Sequence, residues 1–145
     1  MLTVRNALID HWETASLFAT VKTHEGEVPR AIQQQSPHVM TDILPAALVF
    51  TESGQVGDRR APRIYQMSSL LAVRTPAMEV QESQDEGMAL VQEAAEYLLD
   101  RPRWKYEGDT FQIALEGNGG QPISTDLLVA TPDYTVVELQ CTVEW

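Results

Sequence analysis

The chain has 145 residues, 21 acidic and 10 basic, for a formal charge of −11 and a hydrophobic fraction of 43%. A length of this order predicts one domain, residues 1–145, able to bury roughly two-thirds of its unfolded surface without staples. The acidic excess argues against the cationic field that phosphate neutralisation requires, and the single cysteine excludes an internal disulfide framework.

The N-terminal stretch MLTVRNALIDHWETASLF carries internal charges and no continuous apolar run, so it does not read as a signal peptide. No run elsewhere is long enough to span a membrane. The expectation is a soluble protein of a reducing cytoplasm. Thr3 is the candidate N-cap of a first helix. Val4, Ala7, Leu8, Trp12 and Ala15 follow at three- and four-residue spacing, with Phe18 extending the stripe, which predicts an amphipathic helix of about four turns. ATVKTH reads as a short strand closed by a turn around Gly26. PRAIQQQS reads as a short helix with Pro29 in its first position.

LPAALVFTE is apolar without interruption from Ala46 to Phe50, which predicts a central strand covered on both faces, with Pro45 at its first position. The polar connection SGQVGDRRAP leads into RIYQMSSLLAVRT, and the two extended segments predict a β-hairpin with a long loop. Ser83 and Glu86 in SQDE read as a capping box. Met88, Val91, Ala95 and Leu98 then form an apolar stripe, widened by Leu90, Ala94 and Leu99. Pro102 stops this helix, and Arg101 suits its C-terminal dipole. Glu93, Glu96 and Asp100 form its solvated face.

WKYEGDTFQIALEG predicts one or two strands, NGG a turn before PISTDLLVATP, and PDY a turn into the last strand. That strand, TVVELQCTVEW, alternates strictly. Thr135, Val137, Leu139, Cys141, Val143 and Trp145 share one face; Val136, Glu138, Gln140, Thr142 and Glu144 share the other, which predicts one buried face. Helices separated by hairpin-joined strands predict an α+β fold: a mixed or antiparallel sheet packed against two main helices, with a long β-hairpin.

Chemistry-bearing patterns are sparse. His11, His24 and His38 are too widely spaced for a compact metal-ligand motif, and Glu13 and Glu25 beside them are ordinary in so acidic a chain. Ser53 lacks a nucleophile elbow, and GNGG sits between strands where a phosphate loop needs a following helix. Cys141 reads as a small buried hydrophobe. No catalytic, metal or cofactor-binding residue is assigned, and an enzyme is not expected. Two features suit an interface. Arg59, Arg60 and Arg63 place three of ten bases at one hairpin, apt to meet an acidic surface on a neighbouring copy. Trp145 is an aromatic anchor for a subunit contact if the last strand is an edge.

An N-terminal helix with a short strand, then LPAALVF, a charged hairpin and YQMSSLLAVRT, then SQDEGMALVQEAAEYLL and YTVVELQCTVEW, resembles the tail-terminator, or tail-completion, proteins of long-tailed bacteriophages. The resemblance covers nearly the whole chain as a pattern of elements. It implies a virion protein whose copies, six by the family pattern, form a ring on the tail tube protein, stop tail polymerisation and present a surface to the head–tail connector. It also implies assembly in the host cytoplasm, then residence in the tail or neck, with DNA passing through the ring without specific binding, and no cofactor. Three alternatives stand beside it. One is another head–tail joining or minor tail protein. A second is a small α+β ligand-binding domain with a pocket lined by Trp12, Tyr97 and Trp104. The third is an enzyme with a site built from dispersed acids.

Overall fold

The computed structural model describes residues 2–23, 45–55, 63–74, 80–114, 123–130 and 134–145. Helix α1 spans Leu2–Ala15 and presents Val4, Ala7, Leu8 and Trp12, all fully buried, at the expected helical spacing. It begins one residue before the expected cap, so Thr3 lies in its first turn. Ser16 ends it in the left-handed region with φ 57°, a conformation glycine adopts more easily.

Strand β1 (Thr20–Thr23) pairs in parallel with β2 (Ala46–Gln55), and β2 pairs antiparallel with β3 (Ile64–Arg74). Ala46, Ala47, Leu48 and Val49 are all buried, so β2 is the interior strand that its unbroken apolar run predicts. The expected antiparallel hairpin partners are present; its loop, the turn at Gly26 and the helix at Pro29 lie outside the described residues.

Helix α2 spans Val80–Asp100. Ser83 therefore lies inside the first turn and is no capping residue: the helix begins three positions earlier than the SQDE signal suggests, with Glu82 as its first-turn acid. Gln81 Nε2 also donates to Asp85 Oδ1 at 3.0 Å, one turn on. Pro102 stands two residues past its end, as expected. The buried stripe is Gly87, Val91, Ala94 and Leu98. Met88 and Leu99, expected in the core, are 41% and 45% exposed. Gly87 explains the rotation. A Cβ on it would lie 2.5 Å from Thr135 Cγ2, so the helix backbone itself sits against the sheet where a side chain was expected.

Strands β4 (Arg103–Tyr106) and β5 (Asp109–Ile113) form a hairpin through Glu107 and Gly108, at φ 49° and 85°. Two successive positive φ values give the turn a twist that matches its strands. Strands β6 (Ile123–Ala130) and β7 (Tyr134–Glu144) are antiparallel, with a bulge between Leu127 and Val129. Among the described residues the sheet has seven strands in the order β1-β2-β3-β7-β5-β4, with β6 also beside β7. One parallel pair among antiparallel ones makes it mixed, and with both helices on one face the fold is α+β as expected.

Strand β7 lies at the centre. It pairs with β3 along its length, from Ile64 opposite Glu144 to Arg74 opposite Tyr134, and its other edge meets β6 and the end of β5. Its helix-facing residues, Val137, Leu139, Cys141 and Val143, join α1 and α2 in one core with Tyr65, Met67, Leu71, Phe111 and Ile113. Each large apolar side chain buried there contributes roughly 1.5–3 kcal/mol. Two indoles enter this core with their N–H groups satisfied: Trp12 Nε1 donates to Ser69 Oγ and Trp104 Nε1 to the Ala7 carbonyl, both at 3.0 Å. The other face of β7 is less open than its alternation suggests, since Val136 and Thr142 are buried. On that face Glu138 is half-buried, and its Oε1 accepts from Ser68 Oγ at 2.9 Å and from Gln140 Nε2 at 2.8 Å. A central strand thus hides polar groups by pairing them within the sheet.

Candidate interaction surfaces

The sequence singles out Arg59, Arg60, Arg63 and Trp145. Arg59 and Arg60 lie outside the described residues. Arg63 and Trp145 come together where β3 begins and β7 ends. Arg63 N donates to the Trp145 carbonyl at 3.0 Å, and Trp145 N returns the bond to the Arg63 carbonyl at 2.9 Å. The Arg63 guanidinium lies 4.8 Å from the indole centroid, within cation–π range. Trp145 also stacks on Phe111 at 5.6 Å and meets Tyr65 at 6.3 Å. Because β7 is internal, the condition for Trp145 as an edge-strand anchor is not met. The indole is half-buried in its own subunit, and Arg63 is exposed above it.

An open groove of about 420 Å³ runs between the end of α1 and the α2–β4 junction, lined by His11, Tyr97, Arg101, Arg103 and Trp104 among others. His11 is buried and stacks on Trp104 at 4.2 Å with only 6° between the rings. Its Nε2 lies 3.0 Å from the Arg101 carbonyl; a carbonyl only accepts, so Nε2 carries the proton. Burial holds the imidazole pKa below its usual 6.5, against the raising effects of that bond and of Asp10. His11 is thus a satisfied structural histidine joining α1 to the end of α2. Tyr97 and Trp104 line this groove as the ligand-binding alternative requires, but Trp12 does not, being fully buried beneath.

A second groove, of about 440 Å³, lies between α2 and β6 and is lined by Asp85, Met88, Ala89, Val91, Gln92, Ala95 and Thr125. All four large hydrophobics exposed among the described residues belong to these two elements: Met88 and Leu99 on α2, Leu127 and Leu128 on β6. Thr125 and Leu127 pair with Leu139 and Val137, which places both on the helix side of the sheet beside the groove. Ser124 through Leu128 are exposed at every position, and among the described residues β6 pairs only with β7, as an edge strand does. Exposed apolar side chains beside an apolar groove, here Met88 and Leu127, are costly in water and mark an association surface.

Sequence reading missed this surface because it placed Met88 and Leu99 in the core and had no means of finding the partner strand of α2. The glycine at position 87 was the available signal. It also missed a second basic cluster: Arg101, Arg103 and Lys105 are three of the ten bases within five positions, and all are exposed. Arg103 and Lys105 stand at alternate positions of β4, on one side of the strand, with Trp104 turned into the core between them.

Among the described residues no group of three or more His, Cys, Asp or Glu side chains is placed to hold a metal ion, and no helix is long and apolar enough to cross a membrane. No known protein family's sequence profile matches the chain, and no curated protein matches it in sequence.

Proposed function

We propose that this chain is a structural protein of a long-tailed bacteriophage. Copies of it form a ring, six by the resemblance, that caps the tail tube, stops its polymerisation and offers the head's connector a docking surface. The observation that carries this reading is the apolar groove between α2 and β6, with exposed Met88 and Leu127 beside it, a surface suited to association with another folded protein. The α+β layout, with an N-terminal helix, the β2–β3 hairpin and a second helix laid on the same face, supports it as the pattern on which the resemblance rests. Capping works by surface complementarity, with no bond made or broken and no cofactor. At a net charge of −11 the ring repels DNA in its lumen and lets it pass. The protein gathers in the host cytoplasm and ends in the virion's tail or neck.

Electron microscopy of particles made without this gene tests the reading. Overlong tails of scattered length, beside DNA-filled heads lacking tails, are expected; tails of normal length on intact virions overturn it. One observation favours a second reading, a small ligand-binding domain: the groove at Tyr97 and Trp104. Normal tails would turn attention there.

A further inference from the structure

The α2–β6 groove is apolar at its centre and acidic along its rim. Helix α2 carries six acids and no base. Glu82, Asp85, Ala89, Gln92 and Glu96 follow one another at three- and four-residue spacing, all exposed, so acids bracket the groove along one helix stripe. That charge decides what can cover Met88 and Leu127. A two-fold contact would lay α2 on its own copy and bring twelve acids together without a counter-charge. A basic occupant is required, and the described surface offers one in the segment Arg101–Lys105, where all three bases are exposed and Arg103 and Lys105 share one side of the edge strand β4.

We propose that the groove between α2 and β6 receives the basic 101–105 segment of a second copy. The alkyl stems of Arg103 and Lys105 lie over Met88 and Leu127, and their charged heads reach Asp85 and Glu96. Groove and segment are different patches of one surface, so the contact is head-to-tail: repeated, it closes into a ring or runs on as a filament. This deepens the capping reading and rests on it only for the purpose of the ring.

The test uses two variants of the full chain. Asp85→Lys with Glu96→Lys makes the groove basic, and Arg103→Glu with Lys105→Glu makes the segment acidic. Sedimentation at low salt and up to about 1 mM chain reads the assembly mass. The unmodified chain assembles and dissociates as salt is raised. Each variant alone, with an unchanged circular dichroism spectrum, falls to monomer mass, since both of its patches then carry the same sign. Their equimolar mixture restores the assembly, each acidic patch meeting a basic one in alternation. The milder pair Arg103→Gln and Lys105→Gln, which disturbs folding less, weakens association at least about tenfold.

The proposal is overturned by a monomeric unmodified chain at that concentration, by either reversal variant keeping the original mass, or by a mixture that stays dissociated. It is equally overturned if Arg59→Glu with Arg60→Glu dissociates the assembly and the 101–105 reversal does not. Unchanged association of the variants together with overlong tails after gene deletion sinks the docking and leaves the capping. Restored association together with normal tails does the reverse.

Discussion

His11 shows how a polar side chain lives inside this acidic protein. Its ring is sandwiched against Trp104, tilted against Tyr97 at 4.8 Å, and tied by Nε2–H to the end of α2. Burial disfavours the imidazolium, so the folded-state pKa lies below the unfolded value of 6.5. The sign follows from linkage. Below pH 6.5 the unfolded chain binds a proton that the folded chain resists, so this residue's contribution to stability is present above that pH and is lost as pH falls through the window between the two pKa values. Chemical denaturation at pH 5 and at pH 7 measures it. The midpoint is expected to drop at the lower pH, and His11→Gln to shrink the difference; an undiminished difference in the variant would assign the effect to the carboxylates. None of this could be read from the isolated histidine in DHWE. Its helical position was legible, but its partners come from residues about ninety positions away.

Helix α2 docks on the sheet through a residue with no side chain. At Gly87 an added Cβ meets Thr135 Cγ2 at 2.5 Å and Thr135 Cβ at 3.0 Å, and the contact is to a branched side chain on the central strand that cannot swing far. Alanine ordinarily favours a helix by about 1 kcal/mol over glycine. Here overpacking, about 1–3 kcal/mol, opposes that gain, and Gly87→Ala is expected to be net destabilising. Thr135→Ser removes the clashing methyl, so the alanine costs less in that background; a urea-denaturation double-mutant cycle with no coupling between the two positions would refute the close approach. Periodicity identified α2 and most of its inner stripe because apolar residues recur every three or four positions whichever way the helix is turned. It misjudged the rotation because Gly87 and Met88 exchange the roles their hydrophobicity suggests. For α1 no such exchange occurs, and Val4, Ala7, Leu8 and Trp12 stand where the spacing put them.

The assembled sheet decides what no single strand reveals. The alternation in β7 was fully legible, but its central place was not, because its partners β3, β5 and β6 are chosen by the folded chain and not by neighbours in sequence. The surface was likewise hidden: the groove between α2 and β6 and the bases of 101–105 become surfaces only once the strands around them are placed. Cys141 reports on the whole. It lies on the core side of β7 between β3 and β6, is 1% exposed, and burial pushes its thiol up to about 12. An aromatic disulfide reagent at pH 8 is expected to label it only as fast as the sheet opens, with acceleration in denaturant matching global unfolding. Rapid labelling of the native protein would show that β7 separates from its neighbours on its own.

The long β3–β7 ladder has a kinetic consequence. Ser68 and Glu138, bonded across it, are 70 positions apart. The entropy of closing so large a loop is lost before the ladder's bonds and apolar contacts form, which slows the productive encounter. Meanwhile IYQMSSLLAVR offers an extended, mostly apolar template to any other unfolded copy. The strand that gives the finished sheet its centre is, during refolding, the piece whose late arrival leaves the chain open to aggregation, and recovery of native protein falls as chain concentration rises.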